Sequence, residues 1–263
     1  MQKSSAQDLN GLSASDSIGD PPSLNAKQQA GQDDETYSPH GSLCSPTLET
    51  TSYPLLVFRT VSFIYLTYHY IAFFIHFHSL LNFVVYLTFY AYFLTWIYYF
   101  LVLQHFLLAK LVKLNLSSPS SHWYSWPVFI ENLFQISFTF EVALTIIYWS
   151  AVYRDQFSSW FFYLTFVQHA VPLMLLFIDF LFNACQFRMK GFLWILLLQT
   201  IYFFCINLPY TLGAHPIYSL VKWKNGITYA VVFGSYVITF AAYGFGNVIY
   251  RCLKGKVISK KKE

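Results

Sequence analysis

Between Leu80 and Leu108 the chain carries no Lys, Arg, Asp or Glu. At about 1.5 Å of rise per residue, roughly 20 apolar residues cross a bilayer core of about 30 Å, so this run reads as a membrane-spanning helix. Five further apolar stretches repeat the pattern. The expected spans are 55–75, 80–108, 127–152, 159–186, 191–212 and 227–250. Only 11% of the 263 residues are charged and 56% are hydrophobic, whereas soluble domains carry about 25% charged residues. The expected fold class is all-α: a polytopic membrane protein with six transmembrane helices and a disordered N-terminal tail. Its first partner is the lipid bilayer, and no nucleic-acid partner is expected.

Three regions follow. Residues 1–53 are rich in Ser, Gln, Asp, Pro and Gly and hold seven acidic side chains against two lysines. Such a segment buries too little apolar surface to order itself, and is expected to be a disordered acidic cytosolic tail. It begins with no apolar run, so no cleaved signal peptide is expected and the first span serves as the insertion signal. Residues 54–251 form the six-helix transmembrane domain, and 252–263 a basic cytosolic tail. A short region at His76-Phe77-His78-Ser79 makes a hairpin of the first two spans, and Pro127 suits the first turn of the third.

Charge sets the orientation. With six spans both termini share a side, which holds Arg59, Lys110, Lys113, Arg188, Lys190 and the six basic residues from Arg251 onward. The opposite loops hold only Arg154, Lys222 and Lys224. The positive-inside rule therefore puts both termini in the cytosol. The ending Lys260-Lys261-Lys262-Glu263 fits a dilysine retrieval signal read by a coat, which favours the endoplasmic reticulum or another endomembrane. A basic tail that meets anionic lipid fits the same residues and leaves the plasma membrane open.

Ionisable residues inside spans are costly and often functional. The candidates here are His69, Glu131, Glu141, His169 and Asp179. Counted from the expected span ends, Thr88, His169 and Glu141 lie about 12, 15 and 16 Å from one non-cytosolic surface. A hydroxyl is a weak nucleophile that needs a base within hydrogen-bond reach, so Thr88 and His169 form a candidate catalytic pair for a lipid ester, with Glu141 as a supporting carboxylate. The alternative for each is packing, since a threonine in a membrane helix often bonds its own backbone. Asp179 is expected to make a structural pair, and Thr95 to pack. Pro172 removes the amide that the Gln168 carbonyl would accept, which predicts a kink beside His169. Ala242 and Gly246, four apart, permit a close helix approach. The four cysteines show no zinc spacing, and no metal or cofactor is expected.

Several motifs occur in a recognisable order. They are Tyr86-Leu87-Thr88-Phe89 with Tyr98 and Tyr99, then Tyr148-Trp149 before Tyr153-Arg154-Asp155. Gln168-His169-Ala170-Val171-Pro172-Leu173 leads to Asp179, and Ile217-Tyr218-Ser219-Leu220-Val221-Lys222-Trp223-Lys224-Asn225-Gly226 follows. Across roughly residues 53–251 this order resembles the androgen-induced family of six-span membrane proteins and its rolling-stone-type relatives. The last motif is similar to the family's aromatic "IYPxLDW" loop, with Ser219 and Lys222 where rolling-stone relatives favour Pro and Asp. The androgen-induced branch hydrolyses fatty-acid esters of hydroxy fatty acids. Its nucleophile is the Thr of the "LTF" motif and its base the His before "VLP", which the resemblance maps onto Thr88 and His169. The rolling-stone side implies instead a non-enzymatic membrane protein for cell-surface interaction or scaffolding.

Overall fold

The computed structural model describes residues 53–76, 85–111, 126–152, 163, 166–183, 185–213, 216–218 and 221–259. All lie in the second of the two units into which the chain divides, Pro39–Glu263. The expected acidic tail, apart from Tyr53, and the terminal lysines Lys260 and Lys261 fall outside the described residues. Among the described residues the regular structure is helical, with no strand. The chain is an all-α protein with the apolar helices of a polytopic membrane protein.

The helices are α1 (Tyr53–His76), α2 (Leu87–Leu111), α3 (Trp126–Ile147), α4 (Val171–Phe182), α5 (Met189–Ile201), α6 (Leu208–Gly213) and α7 (Gly226–Ser259). Two wider π-helical segments interrupt the pattern. Tyr148–Val152 ends α3, and Tyr202–Asn207 joins α5 to α6. Five stretches are long and apolar enough to cross a membrane: Tyr53–Ile75, Leu87–Leu108, Val128–Ser150, Met189–Gly213 and Gly226–Cys252. The fourth expected span corresponds to the shorter apolar stretch Phe166–Phe182.

Two expected boundaries are corrected. The second span begins at Leu87, after a turn at Val85–Tyr86, and not at Leu80. Residues 77–84 lie outside the described set. The fourth span ends at Phe182 and does not reach residue 186. The Asn183 side chain accepts a hydrogen bond from the Cys185 amide at 3.1 Å, giving the backbone a local alternative to another helical turn.

α3 is the axis of the bundle. In its most apolar stretch 78% of residues are buried, against 28–39% in the other four long spans. It packs against α2, α4, α5 and α7, while α1 packs on α2 and α4. The outer helices show their apolar sides to the surroundings. Val57, Val61, Ile64, Tyr68, Ile71 and Ile75 recur every three or four residues along α1 and are all exposed. Tyr229, Phe233, Val237 and Phe240 make a like stripe on α7. Exposed apolar faces at helical spacing are what a lipid solvent permits.

Lipid tails are as apolar as leucine, so burial of apolar surface holds these helices together less than close packing and interhelical hydrogen bonds do. One closely packed aromatic cluster surrounds Phe187. Its ring meets Phe134, Phe138, Phe180 and Tyr243 with centroids 5.3–6.4 Å apart. Gly246 lets α7 approach it, because a Cβ there would lie 2.4 Å from Phe187 Cζ. Gly191 admits Gln135 in the same way, at 2.2 Å from its Oε1.

The irregular link Asn183–Arg188 is held by side chains of α3. The Gln186 amide donates to Glu131 Oε1 at 3.0 Å, and the Arg188 amide to Gln135 Oε1 at 3.1 Å. Arg188 Nη2 lies 3.7 Å from Glu131 Oε2. Non-helical backbone is tolerated at membrane depth when buried protein groups satisfy it in this way. Asp179 makes the expected structural pair, and its cation is Arg59, whose Nε stands 2.8 Å from Asp179 Oδ1. Tyr98 donates to Oδ2 of the same carboxylate, and Asn183 Nδ2 lies 3.4 Å from that oxygen. Arg59 is thus buried inside α1 and is no free loop charge.

Candidate functional site

Thr88 is the second residue of α2 and is buried. It therefore sits in the first helical turn, and not about two turns inside the span. A loop from the far end of the chain covers it. The Leu87 amide, one of the unpaired donors of a helix start, donates to the Tyr218 hydroxyl at 3.1 Å. Tyr218 also adjoins the hydroxyls of Thr88 and Tyr202. Burial pushes the Tyr218 phenol above its ordinary value, so it remains protonated at neutral pH and serves Thr88 as a hydrogen-bond partner, not as a base.

The loop itself is fastened at two points. Thr228 Oγ1 accepts the amides of Lys222 and Trp223, each at 3.0 Å. The Trp223 indole Nε1 donates to Asn207 Oδ1 at 2.7 Å, at the end of the π segment. Trp223 has φ of 54°, the left-handed region that a bulky side chain seldom adopts, and these bonds hold it there. Tyr202, which opens the same π segment, donates to the Val85 carbonyl at 2.8 Å. Leu87, Thr88, Tyr202, Asn207, Tyr218 and Trp223 thus form one network.

His169 lies where Pro172 interrupts the helix. Its ring stacks on Tyr148 in the α3 π segment, with centroids 3.8 Å apart and planes at 13°. The Thr145 hydroxyl donates to the His169 carbonyl, a side-chain rescue of backbone near a proline break. His169 is 6% exposed, and its Nδ1 has no hydrogen-bond partner among the described residues.

Glu141 is bonded to Thr95. The Thr95 hydroxyl lies 3.1 Å from Glu141 Oε1 and 3.0 Å from the Ala91 carbonyl. Thr95, read from sequence as packing, therefore carries a buried interhelical hydrogen bond. Among the described residues no hydrogen bond joins Thr88, His169 and Glu141 to one another.

The Thr95–Glu141 contact nonetheless fixes a register. The helices α2 and α3 run antiparallel, and the Tyr98–Phe134 ring contact at 5.3 Å continues the pairing in the opposite direction. Seven residues toward the other end, about 10 Å on each helix, come Thr88 and Tyr148. The Tyr148–His169 stack and Thr88 therefore lie at one level of the bundle. The tyrosine network around Thr88 and the α5 π segment had no distinctive spacing in the sequence. The aromatic "YSLVKW" segment was the single signal for its loop.

His69 and Glu131 are accounted for by packing. His69 lies among Tyr65, Tyr68, Phe73 and Tyr163, and Glu131 holds the Asn183–Arg188 link. Among the described residues no group of three or more His, Cys, Asp or Glu is arranged to hold a metal ion. Comparison with protein-family models, with curated proteins and with solved structures gives no match.

Proposed function

We propose that this chain is a membrane-embedded hydrolase of fatty-acid esters of hydroxy fatty acids, related to the androgen-induced and rolling-stone-like proteins. Thr88 is its nucleophile and His169 its general base. The observation that carries the reading is the buried imidazole of His169, with Nδ1 unpartnered, level with the buried hydroxyl of Thr88. Thr88 Oγ1 attacks the ester carbonyl and passes its proton to His169. His169 returns that proton to the departing alkoxide, which leaves as the hydroxy fatty acid. Water, deprotonated by the same imidazole, then attacks the acyl-threonine; the fatty acid is released, and the imidazolium returns its proton to Thr88 Oγ1. Glu141 acts through Thr95 as a positioning residue, because that bond sets the register which keeps Thr88 level with His169. Both termini face the cytosol in this reading, and Lys260 and Lys261 direct retrieval to an endomembrane.

A specific observation favours the scaffold reading as the second one. Thr88 already adjoins Tyr218, and Glu141 is taken by Thr95, so packing alone accounts for both. The discriminating experiment treats the purified protein with an electrophilic fluorophosphonate and with a branched fatty-acid ester. On the hydrolase reading Thr88→Ala abolishes labelling and turnover, and Thr88→Ser retains labelling. His169→Ala lowers kcat by about a hundredfold or more, the contribution expected of a general base. Labelling that survives both alanine variants leaves the scaffold reading.

A further inference from the structure

Lys190 and Arg251 lie at matching ends of two neighbouring spans. The apolar stretch Met189–Gly213 begins just before Lys190, and Gly226–Cys252 ends just after Arg251. α5 and α7 run antiparallel: Phe192 meets Phe240 and Tyr243 with ring centroids 5.6 and 5.0 Å apart, and further along Gln199 Nε2 donates to Ser235 Oγ at 2.9 Å. This pairing brings the start of α5 and the end of α7 to one end of the bundle. Arg188 joins them from the link, because the Tyr250 hydroxyl of α7 is near enough to Glu131 and Arg188 to feel both charges. Lys190 and Arg251 are exposed. The Arg188 side chain is 28% exposed while facing Glu131 at 3.7 Å. Three cations thus stand beside one carboxylate, and the surplus is positive.

What adjoins these cations narrows the occupant. Leu193, Trp194 and Leu197 of α5 and Phe245 and Val248 of α7 are exposed along the spans. The surface is therefore apolar along the two helices and cationic at their ends. A water-soluble anion meets only the cations, and a plain hydrocarbon chain only the apolar rows. A phospholipid of net negative charge meets both, with its phosphate at the cations and its chains along the helices. A zwitterionic lipid carries its own cation and gains less. Each Lys or Arg beside an anionic headgroup is worth about fivefold in affinity. On the six-span reading this end faces the cytosol, whose leaflet holds the anionic lipids.

We infer that Arg188, Lys190 and Arg251 bind the phosphate headgroup of an anionic phospholipid whose chains lie along the α5–α7 seam. The inference does not rest on the hydrolase reading. Glu131 lies near the start of α3 and Tyr148 beyond its end, so this site and Thr88 occupy opposite ends of the bundle. The bound lipid is a structural ligand and not the ester that Thr88 would attack.

The test reads tryptophan quenching by brominated lipids in the full-length protein in detergent. Brominated phosphatidylglycerol and phosphatidylcholine carry the same chains and differ in net charge. Trp194 lies on the seam and reports the bound chains. The wild type is expected to favour phosphatidylglycerol by about twentyfold, the effect of the two exposed cations. Lys190→Gln and Arg251→Gln each lower that preference about fivefold, and together they bring it near one. Lys222→Gln with Lys224→Gln, at the other end of the bundle, keeps it. Trp194→Phe removes the charge-dependent quenching. A wild-type preference of one overturns the site. So does a preference that survives the paired Lys190 and Arg251 variant, or one that falls equally in the Lys222 and Lys224 pair. Charge-dependent quenching that persists in Trp194→Phe overturns the seam as the place of the chains. Inorganic phosphate at matched ionic strength is expected to leave the preference intact, and its loss there overturns the lipid in favour of a free anion.

Discussion

Arg59 and Asp179 form a charge pair with 4% and no side-chain exposure, bridging α1 and α4, with Tyr98 of α2 on the same carboxylate. Removing one partner leaves an uncompensated charge in a medium that does not solvate it. Asp179→Leu is expected to destabilise the protein by about 3–5 kcal/mol, whereas the paired change Arg59→Met with Asp179→Leu recovers most of the loss. Thermal unfolding of the four proteins in one detergent gives the coupling directly; equal losses in the single and paired variants overturn it. Gly246 poses a steric problem of the same local kind. Its added methyl meets a Phe187 ring that four other aromatic residues already pin, so the ring has little room to yield. Gly246→Ala is expected to cost about 1–3 kcal/mol, the usual penalty of overpacking. Phe187→Leu in the same chain should restore part of it, and a strictly additive pair refutes the contact.

At the level of the helices, the start of α7 depends on one cap. Asn225 Oδ1 accepts from the Thr228 amide at 3.3 Å, and Thr228 Oγ1 in turn fixes the loop that carries Trp223 and Tyr218. Asn225→Ala is expected to cost about 0.5–2 kcal/mol, the range for losing an N-cap. Hydrogen exchange should quicken at Thr228 and at the Lys222 and Trp223 amides, but not in the middle of α7. Uniform quickening along the helix counts against a local cap. These elements also mark how much was legible in the sequence. Long apolar runs gave the spans because lipid leaves a buried backbone few alternatives to the helix. Pro172 marked the break beside His169 because a missing amide is a local fact. The link after Phe182 was hidden, since Ala184, Cys185 and Phe187 are as apolar as a span and the features that end the helix are one Asn side chain and two residues of α3. For Thr95, expected only to pack, the partner was hidden for a related reason. Its partner Glu141 is 46 positions away, and only the α2–α3 register brings them together. Depth makes Thr88 and His169 a candidate pair, and it is the resemblance, not composition, that sets Thr88 apart from Thr95.

For the whole molecule, sidedness depends on whether the fourth apolar stretch crosses. Phe166–Phe182 spans about 25 Å at helical rise, less than the roughly 30 Å of a hydrocarbon core. On the six-span reading its end is continued by the Asn183–Arg188 link, whose backbone α3 satisfies, so that the bundle and not the helix alone would complete the crossing. Charge points the same way even after Arg59 is removed from the count as an internal ion pair. On the six-span reading Lys110, Lys113, Arg188, Lys190 and the tail from Arg251 share one side, and Arg154, Lys222 and Lys224 the other. A glycosylation acceptor inserted after Asp155 or after Lys224 should be modified in microsomes, while the same insertion before Tyr53 or after Asn115 should not. A non-crossing fourth stretch puts the sites after Asp155 and Lys224 on opposite sides, so modification of only one of them is the decisive contrary result. The same four insertions also bear on Thr88. It lies at the end of the bundle shared with Tyr148 and Tyr218, so acceptors modified on that side place its hydroxyl near the luminal or outer surface, and acceptors modified on the other side place it near the cytosol.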